Sequence, residues 1–140
     1  MTGYLLDTNV ISELRKAKPH GAVLAWIGTL RSEEVFLSVV TIGELQVGVE
    51  LTRKQDEQKA NDIEQWIDTL VRDAQILPMD TLCFREWARL MQKRPNEMKA
   101  DAMLAATARV HRLVLATRNE SDFEEFHVEL LNPFKYPRTS

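Results

Sequence analysis

An α/β fold, with a mostly parallel sheet between layers of helices, is the fold class that this sequence of 140 residues predicts. Short apolar runs rich in β-branched and aromatic residues alternate with segments whose apolar residues recur at helical spacing. Strands that alternate with helices in this way usually pair in parallel, with helices covering both faces of the sheet. Hydrophobic residues make up 44% and charged residues 28% of the chain, which is typical of one globular domain spanning residues 1–140.

Five short apolar runs are predicted to be the strands of this sheet. They are Tyr4–Leu6, Val35–Val39, Ala74–Leu77, Leu113–Ala116 and Val128–Leu131. The second run is rich in β-branched and aromatic side chains, and the third stops at a proline, which cannot donate to a strand ladder.

Three helices are predicted between these strands from apolar residues spaced three and four positions apart. Their apolar positions are Ile63, Trp66, Ile67, Leu70 and Val71 in the first, Phe84, Trp87, Ala88 and Met91 in the second, and nearly all of residues 100–110 in the third. The last pattern predicts a buried helix. The tryptophans lie on such faces, so we expect them to pack in the core rather than to stack on bases.

Composition excludes several kinds of protein. Cys83 is the only cysteine and the three histidines show no ligand spacing, so neither a disulfide nor a cysteine-based zinc site is expected. No apolar run reaches 18 residues and the N-terminus has no basic signal-peptide region, which favours the cytoplasm and no membrane. A net charge of −3 argues against a nonspecific nucleic-acid binder, but it allows an enzyme that contacts nucleic acid at one site.

Four acidic residues fall where the predicted strands end. Asp7 follows the first strand, Glu44 lies near the start of the helix after the second, and Asp122 follows the fourth. Asp101 opens the buried helix that leads into the fourth strand. Because the carboxyl ends of parallel strands meet at one edge, we expect Asp7, Glu44 and Asp122 to converge there, joined by Asp101 if its helix begins at the same edge.

Each acid also has a purely structural interpretation. Thr41-x-x-Glu44 matches a capping box, and Asn119-x-x-Asp122 is a looser version of the same pattern. Asp101 in a first helical turn suits the helix dipole, and Asp7 could be a simple N-cap. Taken together, however, four clustered carboxylates repel one another and are costly to bury unless a cation neutralises them.

Oxygen ligands without cysteine or histidine favour Mg²⁺ or Mn²⁺, which points to metal-assisted hydrolysis of a phosphodiester. Other sites known on parallel sheets lack their motifs. The chain has no G-x-G-x-x-G, no G-x-x-x-x-G-K-[ST] and no G-x-S-x-G. The segment Asp7-Thr8-Asn9 also lacks the second acid of an aspartyl phosphatase.

Four segments resemble the motifs of PIN-domain ribonucleases, in the same order and at similar spacing. They are residues 4–13, 37–45, 100–108 and 115–123. The resemblance covers essentially the whole chain. It is closest to the VapC toxins of type II toxin–antitoxin modules, and within them to the FitB-like branch, which the ending Leu131-Asn132-Pro133-Phe134 also resembles.

This resemblance implies a PIN-like three-layer fold and an endoribonuclease that hydrolyses RNA through water activated by Mg²⁺ or Mn²⁺. By the same resemblance, Asp7, Glu44, Asp101 and Asp122 are the catalytic acids, with Asp7 and Asp101 most directly tied to the metal. Thr117 matches a hydroxyl that orders the acids. Asn119 stands where many PIN nucleases carry another carboxylate, so Asp122 is expected as the fourth acid and Asn119 as a water or substrate contact.

The resemblance also implies partners. A cognate antitoxin would inhibit the enzyme by placing a segment at its active-site groove, and promoter DNA would be bound only through that antitoxin. A homodimer is expected, with the apolar stripe of residues 63–71 at its interface or packed just beneath it. The alternative is a non-catalytic PIN-like module that acts only in a DNA-bound complex, although such a module has no physical reason to keep four mutually repelling acids.

Overall fold

The computed structural model describes residues 2–137, and its centre is a sheet of five parallel strands. The strands are β1 (Tyr4–Leu6), β2 (Val35–Ser38), β3 (Gln75–Leu77), β4 (Val114–Ala116) and β5 (Leu130–Leu131), in the spatial order β3-β2-β1-β4-β5. Every neighbouring pair is parallel, which confirms the predicted fold class. The first strand lies at the centre, so its carboxyl end has neighbours on both sides.

Six α-helices flank this sheet within the described residues. They are α1 (Thr8–Arg15), α2 (Gly21–Ile27), α3 (Val39–Arg53), α4 (Glu57–Asp73), α5 (Thr81–Leu90) and α6 (Lys99–His111). Short 3₁₀ turns cover Ser32–Glu34, Asn96–Met98, Glu120–Asp122, Glu124–Phe126 and Pro133–Lys135. No helix within residues 2–137 is both long enough and apolar enough to cross a membrane.

The starts of the helices are set by side-chain caps. Asp7, Ser38, Asp56 and Asp80 each accept a hydrogen bond from a backbone N–H in the first turn of the following helix. The cap at Ser38 explains why β2 stops one residue earlier than predicted, since Val39 already belongs to α3. Strand β5 is also shorter than predicted, because only two of its residues pair with β4.

Two apolar cores lie on the two faces of the sheet. Adjacent residues of a strand point to opposite faces, and accordingly Leu5 packs in one core and Leu6 in the other. The core that contains Leu5 also contains four buried residues of α6, as the nearly continuous apolar sequence of this helix predicts. Trp26 is 2% exposed, while Trp66 and Trp87 are half-buried against the cores, which confirms their packing role.

The apolar stripe of α4 is used mainly inside the molecule. Ile67 is buried, and Ile63, Trp66 and Leu70 pack against the same core. Val71 is the exception, with 51% of its surface exposed.

Candidate active site

The four acids approach one another at the carboxyl edge of the sheet. Asp7 follows β1 directly, and Glu44 lies in the second turn of α3, the helix that starts where β2 ends. Asp122 lies in the 3₁₀ turn after β4, and Asp101 is in the first turn of α6. We call this set, Asp7, Glu44, Asp101 and Asp122, the acid edge.

Asp7 is the most buried member of the acid edge, with 7% of its surface exposed. Its Oδ1 caps α1 by accepting from the Thr8 backbone N–H at 2.7 Å. Its Oδ2 accepts from the Thr117 hydroxyl at 2.8 Å and from Asn9 Nδ2 at 3.2 Å. Burial raises the pKa of Asp7 and the charge of Glu44 adds to this, against the lowering effect of these hydrogen bonds. The structural interpretation of Asp7 as a cap is therefore right, but it accounts for only one of the two oxygens.

Thr117 connects Asp7 to the loop after β4. Its side chain is fully buried, and while its hydroxyl donates to Asp7 it accepts from the Asn119 backbone N–H at 3.0 Å. The backbone N–H of Asp7 in turn donates to the Ala116 carbonyl oxygen at 2.9 Å. These bonds fix the loop that carries Asn119 and Asp122 relative to the end of β1.

Glu44 faces the start of α1 rather than the start of its own helix. Its Oε1 accepts from the Thr8 hydroxyl at 2.7 Å. The capping-box interpretation is wrong, because Ser38 Oγ accepts from the Val40 N–H at 3.0 Å and is the cap of α3. Thr41 lies inside that helix, where its hydroxyl is buried without a hydrogen-bond partner. Glu44 is thus not needed to begin α3.

Asp101 shows that the four charges act on one another. Burial raises its pKa, and the charges of Asp7, Asp122 and Glu44 raise it further, to about 6. No cationic side chain is among the groups that shift the pKa of Asp7 or Asp101. The site is therefore a one-sided concentration of negative charge, and a carboxyl group titrates in it close to neutral pH.

The carboxylates of the acid edge lie spread along this edge of the sheet and do not surround a single central position. Glu44, Asn119 and Asp122 are exposed, and Asn119 makes no capping bond with its side chain, so the looser capping pattern is also absent. Within residues 2–137, no three of the four carboxylates bring an oxygen within 4.8 Å of one another. Magnesium is usually held by one or two carboxylates while keeping several waters, so an open set of oxygen donors fits this ion. The exposed members are accessible from solvent.

Two contributors, Thr8 and Asn9, were missed from the sequence. Thr8 contacts both Asp7 and Glu44, through its N–H and its hydroxyl. Asn9 donates to Asp7 and accepts from the Arg118 N–H at 3.2 Å. Their position in the first turn after a strand-end acid was a usable signal, because side chains in that turn point back towards the end of the strand.

Comparison with known proteins places this architecture in a family. Residues 4–128 match the PIN domain. The VapC ribonuclease Y4jK of Sinorhizobium fredii is 37% identical over 138 residues, covering 94% of this chain and 97% of that protein. Toxin FitB of Neisseria gonorrhoeae is 37% identical over 136 residues, covering 93% of this chain and 97% of that protein.

A solved structure is similar over the same length. The crystal structure of FitAcB from Neisseria gonorrhoeae has a TM-score of 0.84 and 33% sequence identity, covering 94% of this chain and 99% of that one. The likeness thus extends over nearly the whole of both chains.

Proposed function

The chain belongs to the PIN-domain family, and from this we propose that it is the toxin of a type II toxin–antitoxin system, a nuclease that cleaves RNA. The observation that supports catalysis most directly is the acid edge. Four carboxylates act on one another there, and none of the groups that shift the pKa of Asp101 is a cation. A folded protein neutralises such a cluster most simply with a bound cation.

We assign the metal to Asp7 and Asp101, with Mg²⁺ or Mn²⁺ as the expected ions. Both residues offer only oxygen, which is the ligand type that hard divalent ions prefer. A bound ion would supply Lewis acidity towards a water molecule and a phosphate oxygen. Glu44 and Asp122 are exposed on the same edge, where they can orient the attacking water.

The remaining polar residues position these acids. Thr117 fixes Oδ2 of Asp7, and Thr8 links Asp7 to Glu44. Asn119 is held by its backbone to Thr117 and is exposed, so its side chain is free to contact water or RNA. In the proposed hydrolysis, a bond forms between water oxygen and phosphorus and the bond from phosphorus to the 3′ oxygen breaks. The products then carry 5′-phosphate and 3′-hydroxyl ends.

A cognate antitoxin is the proposed regulator, and the cytoplasm is the proposed location. Large apolar side chains at Val47, Leu51, Leu82 and Phe84 are exposed, which supports contacts with an antitoxin and with a second copy of the chain. The net charge of −3 disfavours direct binding of this chain to DNA, so promoter contacts fall to the antitoxin.

The test is cleavage by the purified chain of a pool of transfer, ribosomal and messenger RNA, with analysis of the product ends. We expect cleavage with Mg²⁺ or Mn²⁺, none in EDTA, and 5′-phosphate ends. Expression without the antitoxin should arrest growth. Cleavage that survives EDTA, or 2′,3′-cyclic phosphate ends, would contradict the metal-dependent reaction. Absence of cleavage with all three RNA classes would favour the non-catalytic module.

A further inference from the structure

A second group of potential ligands lies where the start of α5 meets the end of α6. Asp80, Cys83 and His111 offer a carboxylate, a thiol and an imidazole there, with ligand atoms all within 4.8 Å of one another. In the part of the chain that the structure describes, no other three histidine, cysteine or acidic side chains come this close. The cluster differs from the acid edge in chemistry, because it combines sulfur, nitrogen and oxygen donors.

The fold holds these three side chains together through one helix cap and one helix pair. Asp80 is the N-cap of α5, and its Oδ1 accepts from the Cys83 N–H at 3.0 Å. His111 is the last residue of α6, which packs along α5. The spacing Asp80-x-x-Cys83 is visible in the sequence, but the contribution of His111 arises only from the packing of the two helices.

The three residues differ in burial. Burial and the neighbouring Asp80 raise the pKa of the Cys83 thiol, so an ion has to displace its proton. Cys83 is fully buried, whereas Asp80 and His111 are exposed at the surface. The sulfur is thus fixed at the inner side, while the two outer side chains can adjust. Thr107 lies beside the thiol, but its hydroxyl is engaged with the Met103 carbonyl oxygen at 2.8 Å and with Met79 Sδ at 3.4 Å.

We propose that Asp80, Cys83 and His111 bind a divalent ion of the zinc class and that this ion joins α5 to α6. Mixed sulfur, nitrogen and oxygen donors favour Zn²⁺ over Mg²⁺. On binding, the Cys83 S–H bond breaks, its proton passes to solvent, and a sulfur–metal bond forms. The thiolate and the carboxylate then balance the charge of the ion, and a water molecule fills the fourth position.

The three ligand atoms need to move only a short distance to surround a zinc ion. Ligand atoms around a tetrahedral zinc ion lie about 3.5 Å apart, given metal–ligand bonds of about 2.0–2.3 Å. The ligand atoms of Asp80, Cys83 and His111 already lie within 4.8 Å of one another, so none of these distances has to shorten by more than about 1.3 Å. Asp101 and His111 are ten residues apart on α6, about 15 Å along the helix axis, so this site and the acid edge can be loaded independently.

The test is titration of the metal-stripped full-length protein with Co²⁺, a spectroscopic substitute for Zn²⁺. We expect a thiolate-to-cobalt absorption band in the near ultraviolet that grows to a plateau as Co²⁺ is added and disappears on addition of Zn²⁺. Because Cys83 is the only cysteine in the chain, the band reports this cluster alone.

Four variants test which residues bind the Co²⁺. Cys83→Ser should abolish the band. His111→Gln and Asp80→Ser change exposed ligands, and serine keeps the cap of α5, so both should fold normally and bind Co²⁺ at least tenfold more weakly. Asp101→Asn removes a ligand at the acid edge only, so it should leave the thiolate-to-cobalt band unchanged.

Two results would overturn the proposal. One is the absence of a thiolate band with the unchanged protein when Co²⁺ is in excess over both proposed metal sites. The other is unaltered Co²⁺ affinity in both His111→Gln and Asp80→Ser. If Cys83→Ser fails to fold, these two surface variants decide the question.

Discussion

The two ends of α6 treat acidic side chains in opposite ways. At its start, Asp101 is surrounded by other acids, and its pKa is raised to about 6. Beside its last turns, Glu86 of α5 accepts from Arg109 at 2.6 Å and from Arg89 at 3.0 Å, and these bonds hold its pKa below the usual range. The same helix therefore contacts one acid that has cationic partners and another that has only acidic neighbours.

Burial is the largest cause of the raised pKa of Asp7 and Asp101, but the partners of each acid matter as well. Glu13 at the end of α1 is as buried as Asp7 at its start, with 6% and 7% of their surfaces exposed. Glu13 nevertheless accepts from Lys16 at 2.9 Å and from the His20 N–H at 2.9 Å, and its pKa is lowered. Glu13 and Glu86 thus each lie beside a cation. No cation is among the groups that shift the pKa of Asp7 or Asp101, which is why we propose that the acid edge binds a metal.

The largest expected effect of the difference is on RNA cleavage. Glu44→Gln, Asp101→Asn and Asp122→Asn should each lower the cleavage rate at least about 100-fold, the usual cost of losing one electrostatic element of a site. Glu86→Gln also removes one negative charge, but beside the end of α6, where Glu86 is paired with Arg89 and Arg109. Because Glu86 contacts no proposed site residue, this variant should change the rate less than about threefold. Initial rates on one RNA substrate measure both. If Glu86→Gln lowers the cleavage rate as much as the acid-edge variants do, the proposed difference between the start and the end of α6 is wrong.

The next effect is on stability in the presence of metal. Mg²⁺ or Mn²⁺ at about 100 times its Kd should stabilise the folded protein by about 2.7 kcal/mol through mass action. Asp101→Asn should lose most of that gain, while Glu86→Gln should keep it. Thermal melting with and without the ion measures the gain. Superimposed melting curves for the unchanged protein would show that the acid edge binds no ion.

A smaller effect, of opposite sign at the two ends, is expected in EDTA. Asp101→Asn removes a charge that burial and three acids disfavour, so it should stabilise the metal-free protein by about 1 kcal/mol, or about 3 °C in Tm. Glu86→Gln weakens two charge-assisted hydrogen bonds and should destabilise it by about 1 kcal/mol. Both shifts can be measured in one melting series. A loss of stability in Asp101→Asn would mean that its carboxylate is a structural element.

The smallest effect is the dependence of these two shifts on pH. The folded-state pKa of Asp101, about 6, lies above the unfolded value, so between pH 4 and 6 the folded state holds more of its proton and stability falls as pH rises. The gain from Asp101→Asn should therefore shrink as pH falls from 7 to 4. The pKa of Glu86 is lowered, so the stability it contributes persists down to about pH 4.5 and is lost below. Melting in metal-free buffers at four pH values checks both, and a pH-independent gain in Asp101→Asn would contradict the raised pKa.

Much of the fold was predictable because its signals are local. The strand cores, the buried helix α6 and the strand-end position of Asp7 each follow from residues adjacent in the sequence. The start of α3 could not be predicted, because both Ser38 and Thr41 are able to cap a helix. Which of them does so depends on where β2 stops pairing with β3. The pairing of Ser38 with Leu77 settles it.

Contacts between residues far apart in the sequence limit how much of the site can be predicted. The bond from Thr117 to Asp7 spans 110 positions, and the approach of His111 to Cys83 depends on how α5 lies against α6. Local periodicity carries no information about either. The types of the acidic residues and their places at strand ends could be read from the sequence, but the hydrogen bonds that orient them could not.

The double use of Asp7, as the cap of α1 and as a member of the acid edge, has a practical side for production of the protein. Asparagine caps a helix about as well as aspartate, so Asp7→Asn keeps the bond from the Thr8 N–H that starts α1. It removes one charge, and it also removes the oxygen that accepts from Thr117 and Asn9, because an amide nitrogen only donates. A host cell should then tolerate the silenced chain without its antitoxin. Such a form would give access to the isolated protein for crystallisation and for RNA-binding measurements in which the bound RNA stays intact.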